Sequence, residues 1–330
     1  MRRREFISLV GGAAAAWPLA ARAQQSERMR RIGVLMAVPE HDPEYQAYIG
    51  TFRAGLQKLG WTEGRNIQID YRWGADDLEA MQRVAKDLVA LQPDLILTQN
   101  TPTTAATLHQ TRAIPILFAN CADPVGSGFV ATLPRPGGNV TGFITMEPTM
   151  AGKWLELLKE IAPRVNRVAA LFNPATATFA DIYLPPFKAA AASLGVEAIV
   201  APLHDVSELE AVVAAQGREP NGGLIAMPDS FLTVHRVEIT SLAARYRLPA
   251  VYPFRFFAEL GGLLSYGNNQ LDNYPRAAIY ADRILRGAKP SELPVQVPVK
   301  FELVINLKTA KTLDLDVPSL LQQRADEVIE

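Results

Sequence analysis

The residues best able to do chemistry in this chain are amides, hydroxyls and one carboxylate, gathered where short apolar runs end. The first group is Asn100-Thr101-Pro102-Thr103-Thr104. Thr101 suits a helix N-cap and Pro102 the first helical position, which leaves backbone N–H groups pointing outward, able to bind a carboxylate or simply to start a helix. Asn120 and Asp123 follow the next apolar run, and Asn173, Thr176 and Thr178 close a later one. Thr178-x-x-Asp181 has the spacing of a capping box. Asp229-Ser230 comes directly after the apolar run 223–227, where the carboxylate could pair with a ligand ammonium or cap the following helix. Tyr252, Phe254, Phe256, Phe257 and Tyr266 supply rings for the core and for stacking a planar ligand at a cleft. Arg255, set among them, suits a carboxylate clamp or a solvated surface charge.

Sets that support catalysis are missing. His41, His109, His204 and His235 are far apart and lack HExxH spacing. There is no Gly-x-Ser-x-Gly elbow, since Gly126-Ser127-Gly128 has the wrong spacing. Val38-Pro39-Glu40-His41-Asp42-Pro43 follows the first apolar run in place of a glycine-rich phosphate loop. Cys121 is the single cysteine, so an internal disulfide is excluded and a buried free thiol is expected. No catalytic residue, metal or cofactor is expected.

The elements that position these groups alternate. Strands are expected over 32–37, 67–73, 95–98 and 114–119, with helices over 44–59, 78–91 and 102–111 between them. Tyr45, Tyr48, Ile49, Phe52, Leu56 and Leu59 recur at three- and four-residue steps, which makes one apolar stripe on the first helix. The pattern restarts with helices over 150–161, 180–194, 207–215 and 234–246 among strands over 168–172, 196–201, 223–227 and 249–252. A strand over 263–266, a helix over 274–286 and the proline-punctuated 289–299 then suggest repeated crossing between two halves. The expected fold is α/β: two Rossmann-like lobes with parallel sheets joined by crossover hinge segments. Lobe 1 is assigned 24–142 plus 268–297, and lobe 2 is assigned 143–267 plus 298–330. Parallel sheets put ligands at the carboxyl ends of their strands, so the polar groups above would meet in one cleft.

Arg3-Arg4, an apolar stretch over 9–19 and Ala21-Arg22-Ala23 form a twin-arginine-type signal peptide over 1–23. The stretch is about half the ~20 residues needed to span a bilayer. Cleavage near Ala23 and a periplasmic location are therefore expected. A net charge of -1 with 48% hydrophobic residues offers no basic field for nucleic acid or anionic lipid.

Phe118-Ala119-Asn120-Cys121-Ala122-Asp123-Pro124-Val125-Gly126-Ser127-Gly128 and Arg135-Pro136-Gly137-Gly138-Asn139-Val140-Thr141-Gly142 resemble the ABC transporter substrate-binding proteins related to tryptophan/tyrosine-type solute receptors. The likeness continues through 261–267, 281–290 and 300–310. It implies a type I periplasmic-binding-protein fold that closes over a small carboxylate-bearing solute, such as an aromatic amino acid, and delivers it to an inner-membrane ABC permease with its cytoplasmic ATPase. A monomer and no enzymatic activity are expected. The helix start at 100–104 and Thr176 to Thr178 would hold the carboxylate, Asp229 would meet an amine or hydroxyl, and Tyr266 or Phe254 would flank the apolar part. A ligand-sensing subunit for a signalling receptor would use the same cleft, and a twin-arginine-exported enzyme is the remaining alternative.

Overall fold

The computed structural model describes residues 29–74 and 77–330, so the expected leader lies outside the described residues. Lobe 1 is built from β1 (Arg30–Met36), α1 (Pro43–Lys58), β2 (Ile67–Trp73), α2 (Leu78–Ala90), β3 (Leu95–Asn100), α3 (Thr101–Gln110), β4 (Ile116–Cys121) and β5 (Val140–Ile144). Lobe 2 follows with α4 (Met150–Ile161), β6 (Arg167–Phe172), α5 (Ala180–Leu194), β7 (Glu197–Pro202), α6 (Val206–Arg218), β8 (Gly222–Ala226), α7 (Ser230–Val234), α8 (Arg236–Arg245), β9 (Ala250–Tyr252), α9 (Arg255–Glu259) and β10 (Leu264–Gly267). The chain then returns to lobe 1 as α10 (Asn273–Leu285), which packs on α1 and β4. It ends in lobe 2 with β11 (Glu302–Asn306), α11 (Leu307–Thr312), α12 (Ser319–Arg324) and β12 (Glu327–Ile329).

Sheet one has the order β2-β1-β3-β4-β5 and all its pairings are parallel. Sheet two runs β12-β11-β10-β9-β8-β6-β7. Read from β7, its first five strands repeat the order of sheet one, and β11 then adds antiparallel to β10. The strand order therefore reverses at β1/β3 in lobe 1 and at β6/β8 in lobe 2, the points where such sheets open a crevice at their carboxyl ends.

The central strands are apolar through their middles because helices cover both faces. In lobe 2, Trp154, Tyr183 and Phe187 are buried in one core cluster with residues of β6, β8 and β9. In lobe 1 the predicted stripe of α1 is the buried face, except that Leu59 is only partly covered. Some elements escape the sequence pattern. β5 is a buried edge strand interrupted by Gly142, and β12 has only three residues. The helix expected over 234–246 is two helices joined at His235. The segment expected to be a loop after β9 contains α9.

Crossing segments pass close together at Gly267. A Cβ there would lie 1.9 Å from the Pro253 carbonyl oxygen and 2.8 Å from Met146 Cε. Gly267→Ala should cost about 1–3 kcal/mol, as overpacking does, and lower the melting temperature by several degrees. Calorimetry that shows an unchanged melting temperature would contradict this packing.

Candidate functional site

Each reversal point is tied by one side chain. In lobe 1, Ala37 N, just past β1, donates to Gln99 Oε1 on β3 at 2.7 Å. In lobe 2, Asn173 N, just past β6, donates to Asp229 Oδ2 beyond β8 at 2.7 Å. Asp229 Oδ1 also accepts from the Thr176 hydroxyl and from Phe231 N at 3.0 Å, so Asp229 caps α7 while it anchors the 173–176 loop. Charge-assisted bonds of this kind satisfy backbone groups that the sheet leaves over.

The α3 start is similarly self-contained. Asn100, and not Thr101, is the N-cap, because its side chain accepts from Thr103 N at 3.2 Å while Thr103 Oγ1 takes Asn100 N at 2.9 Å. Thr104 Oγ1 meets Thr98 Oγ1 at 2.8 Å and donates to Asn100 O at 2.7 Å. Thr101 Oγ1 accepts from Ala122 N at 3.0 Å and pins the end of β4. The hydroxyls of Thr103 and Thr104 are thus buried in internal bonds. Asn173 is engaged as well, donating to His204 O at 3.2 Å and accepting from Ala175 N at 2.8 Å.

What remains forms two adjoining spaces between the lobes. The inner chamber, of about 30 Å³, has Asn100, Asn120 and Thr145 on the lobe 1 side. Asp229, Ser230 and Thr233 face them from lobe 2, with Tyr45 and Phe254 as ring walls. Asn120 Oδ1 accepts from Asn273 Nδ2 at 2.8 Å. Ser230 Oγ completes no hydrogen bond, and Asn120 Nδ2 has only the Tyr274 hydroxyl beside it, short of full hydrogen-bond geometry. Asn120 is 4% exposed and Ser230 is 7% exposed. A buried polar group left in that state costs about 1–3 kcal/mol, so the chamber is poised for a hydrogen-bonding guest.

The outer groove is larger, about 660 Å³, and mainly apolar, with Leu78, Met81, Phe129, Phe179 and Ile182 among its walls. Asp123, Thr178, His109 and Asp181 add polar groups. Asn100 faces the chamber and its neighbour Thr101 the groove, so the start of α3 separates the two. The chamber is smaller but carries the converging polar atoms, and the groove supplies the volume.

Three expectations are corrected. Arg255 is no clamp in the cleft: its guanidinium bonds Glu259 at 2.8 Å, Glu302 at 3.3 Å and Glu327 at 2.5 Å, because α9 turns it toward β11 and β12. Tyr266 lies against Phe301 with ring centroids 6.1 Å apart, and its carbonyl accepts from Trp154 Nε1 at 2.7 Å; it lines neither space. Thr178 and Asp181 make no capping box, since α5 starts at Ala180 with Phe179 as N-cap and no side-chain cap bond. Tyr252, Phe256 and Phe257 are core, and Phe254 alone of that aromatic group reaches the chamber.

The sequence reading missed Tyr45, Gln99, Thr145, Thr233 and Gln270 as chamber walls. Gln99 adjoins Asn100 at a strand end and could have been found there. Tyr45 is hidden by its place in an apolar stripe. Burial pushes the Cys121 thiol up to about 12, partly offset by its contact with Thr101. Among the described residues no group of three or more His, Cys, Asp or Glu could hold a metal ion, and no helix is long and apolar enough to cross a membrane.

A family model for ABC transporter substrate binding proteins matches residues 31–329. A tyrosine-binding protein of Clostridioides difficile strain R20291 is 27% identical over 291 residues, covering 88% of this chain and 82% of that protein. Among solved structures, a domain from Streptococcus pneumonia in complex with L-Trp overlays with a TM-score of 0.84 at 26% identity, covering 91% of this chain and all of that one. A substrate-binding protein with adhesive properties from Clostridium difficile, in its ligand-free, open form, gives 0.67 at 25% identity, covering 91% and 99%.

Two outcomes follow from these bonds. Asp229→Ala strands three donors and should lower stability by about 2–4 kcal/mol in urea unfolding, reckoned from the loss of hydrogen bonds to a charged group; an unchanged midpoint would contradict its anchoring role. Cys121, neutral at physiological pH and fully buried, should resist a disulfide thiol reagent in the native protein and react once when unfolded.

Proposed function

The chain belongs to the ABC transporter substrate-binding protein family, and from that premise we propose that it captures a small carboxylate-bearing solute, foremost an aromatic amino acid, between its lobes. The observation that carries this reading is a pair of buried donors at one chamber: Ser230 Oγ from lobe 2 completes no hydrogen bond, and Asn120 Nδ2 from lobe 1 has only the Tyr274 hydroxyl beside it, short of full hydrogen-bond geometry. Both can donate to one carboxylate, which needs acceptor satisfaction by several donors. The chamber is the size of such a head group, and the apolar groove beyond Thr101 suits a ring. A tyrosine-binding relative and a neighbour holding L-Trp support that ligand class.

The chamber walls come from both lobes, so capture runs through separation and closure about the crossing segments. The moving units are lobe 1, which runs through β5 and returns over 268–297, and lobe 2, which takes the chain between them and the end from 298 to 330. Binding favours the closed form because only there are both donors satisfied by one ligand; a ligand shifts such an equilibrium by its difference in affinity for the two states. The closed, loaded monomer then delivers its cargo in the periplasm to an ABC permease driven by a cytoplasmic ATPase. The protein does no chemistry on the solute.

The test is calorimetric titration with L-tyrosine, L-tryptophan and other small carboxylates, with the same samples assayed for turnover. One class should bind without being altered. Ser230→Ala and Asn120→Ala should each weaken it by about 1.5–3 kcal/mol, the worth of a hydrogen bond to a charged group. Equal affinity in both variants would sink the assignment of these donors, and turnover would sink the receptor reading.

A further inference from the structure

An ion pair joins the two lobes beside the chamber. Arg236 Nη2 on α8 of lobe 2 donates to Asp42 Oδ2, just before α1 of lobe 1, at 2.7 Å. Their side chains are only 14% and 5% exposed. Each partner also holds a chamber wall. Asp42 Oδ1 caps α1 by accepting from Glu44 N at 3.1 Å and from Tyr45 N at 3.4 Å, and Tyr45 lines the chamber. Arg236 Nη1 donates to Thr233 O at 2.9 Å, and Thr233 lines it from the other side. The guanidinium sits 5.5 Å from the centre of the Phe256 ring, on whose face it is fixed. Beside it, Val234 of lobe 2 packs into the lobe 1 core.

We propose that Asp42 and Arg236 are a matched positioning pair that lets the lobes close over ligand and sets how tightly it is held. The physics is a balance of charges. A buried pair gains little over well-packed neutral groups, since desolvation offsets attraction, but one buried charge without its partner is severely penalised. In most proteins that penalty falls on folding. Here the two charges belong to different lobes, and parting the lobes returns both to water. The penalty for a missing partner therefore falls on closure and on ligand affinity, while each lobe stays folded. Removing both charges together lifts it.

That non-additive pattern is the test. Asp42→Asn keeps the helix cap, because Asn serves there as well as Asp. Arg236→Met keeps an apolar stem on Phe256. Kd for L-tyrosine and L-tryptophan is measured by calorimetry, and dissociation rates by stopped flow, for the wild type, both single variants and the double variant. Each single variant should raise Kd tenfold or more, mostly through faster dissociation, and the double variant should return to within about threefold of wild type. Unchanged single variants, or a double variant whose loss equals the sum of the two, would overturn the proposal. The ligand arm rests on the solute-receptor reading. If neither amino acid binds the wild type, that reading fails separately, and small-angle scattering of the four proteins decides the pair alone. Larger radii of gyration in the single variants, restored in the double, would support it, and superimposable curves would overturn it.

Discussion

Strands of a parallel sheet end with backbone N–H groups that need partners, and everything about this cleft depends on how the two lobes provide them. At β1/β3 the partner is the Gln99 amide, and at β6/β8 it is the Asp229 carboxylate, each 2.7 Å from the N–H it satisfies. The two sheets share a strand order, so the ties stand at corresponding reversal points. The cost of leaving such groups unpaired in a buried crevice is what commits these conspicuous polar side chains to structure. In the function we propose, ligand recognition falls to the groups left over, Asn120 Nδ2 and Ser230 Oγ.

This division gives the cleft its asymmetry. Three chamber walls are held from behind: Asn120 by Asn273, Thr233 through Arg236, Tyr45 through the Asp42 cap. The outer groove is built from side chains of α2, α3 and α5 and has room for an apolar body. In the function we propose, a polar end with few unsatisfied donors and an apolar end with volume favours a carboxylate-bearing aromatic solute over a sugar, since a sugar would leave the groove wet and bring more hydroxyls than the chamber can match.

Sequence periodicity made the architecture legible where elements were long. α1, with its stripe from Tyr45 to Leu56, and α4, over Met150–Ile161, are found where the spacing puts them. Short or edge elements were not legible: β12 has three residues, and β11 pairs antiparallel at a position that only the return crossing explains. The strand-end rule brought Asn100, Asn120, Asp229, Ser230 and Phe254 to one chamber. It could not separate side chains that tie loops from those that face a guest, because a free hydroxyl and a capping one look alike in sequence. Thr103 and Thr104 are the clearest instance, both fully buried in bonds of their own turn. Arg255 shows the opposite difficulty, since the three carboxylates that claim it come from α9, β11 and β12.

The most direct test of the account is a crystal structure of the protein grown with L-tryptophan or L-tyrosine. The account predicts the ligand carboxylate within about 3.2 Å of both Asn120 Nδ2 and Ser230 Oγ, hydrogen-bond range for these donors, with the ring in the groove beyond Thr101. A ligand held by one lobe alone, or with its carboxylate away from both donors, would contradict it.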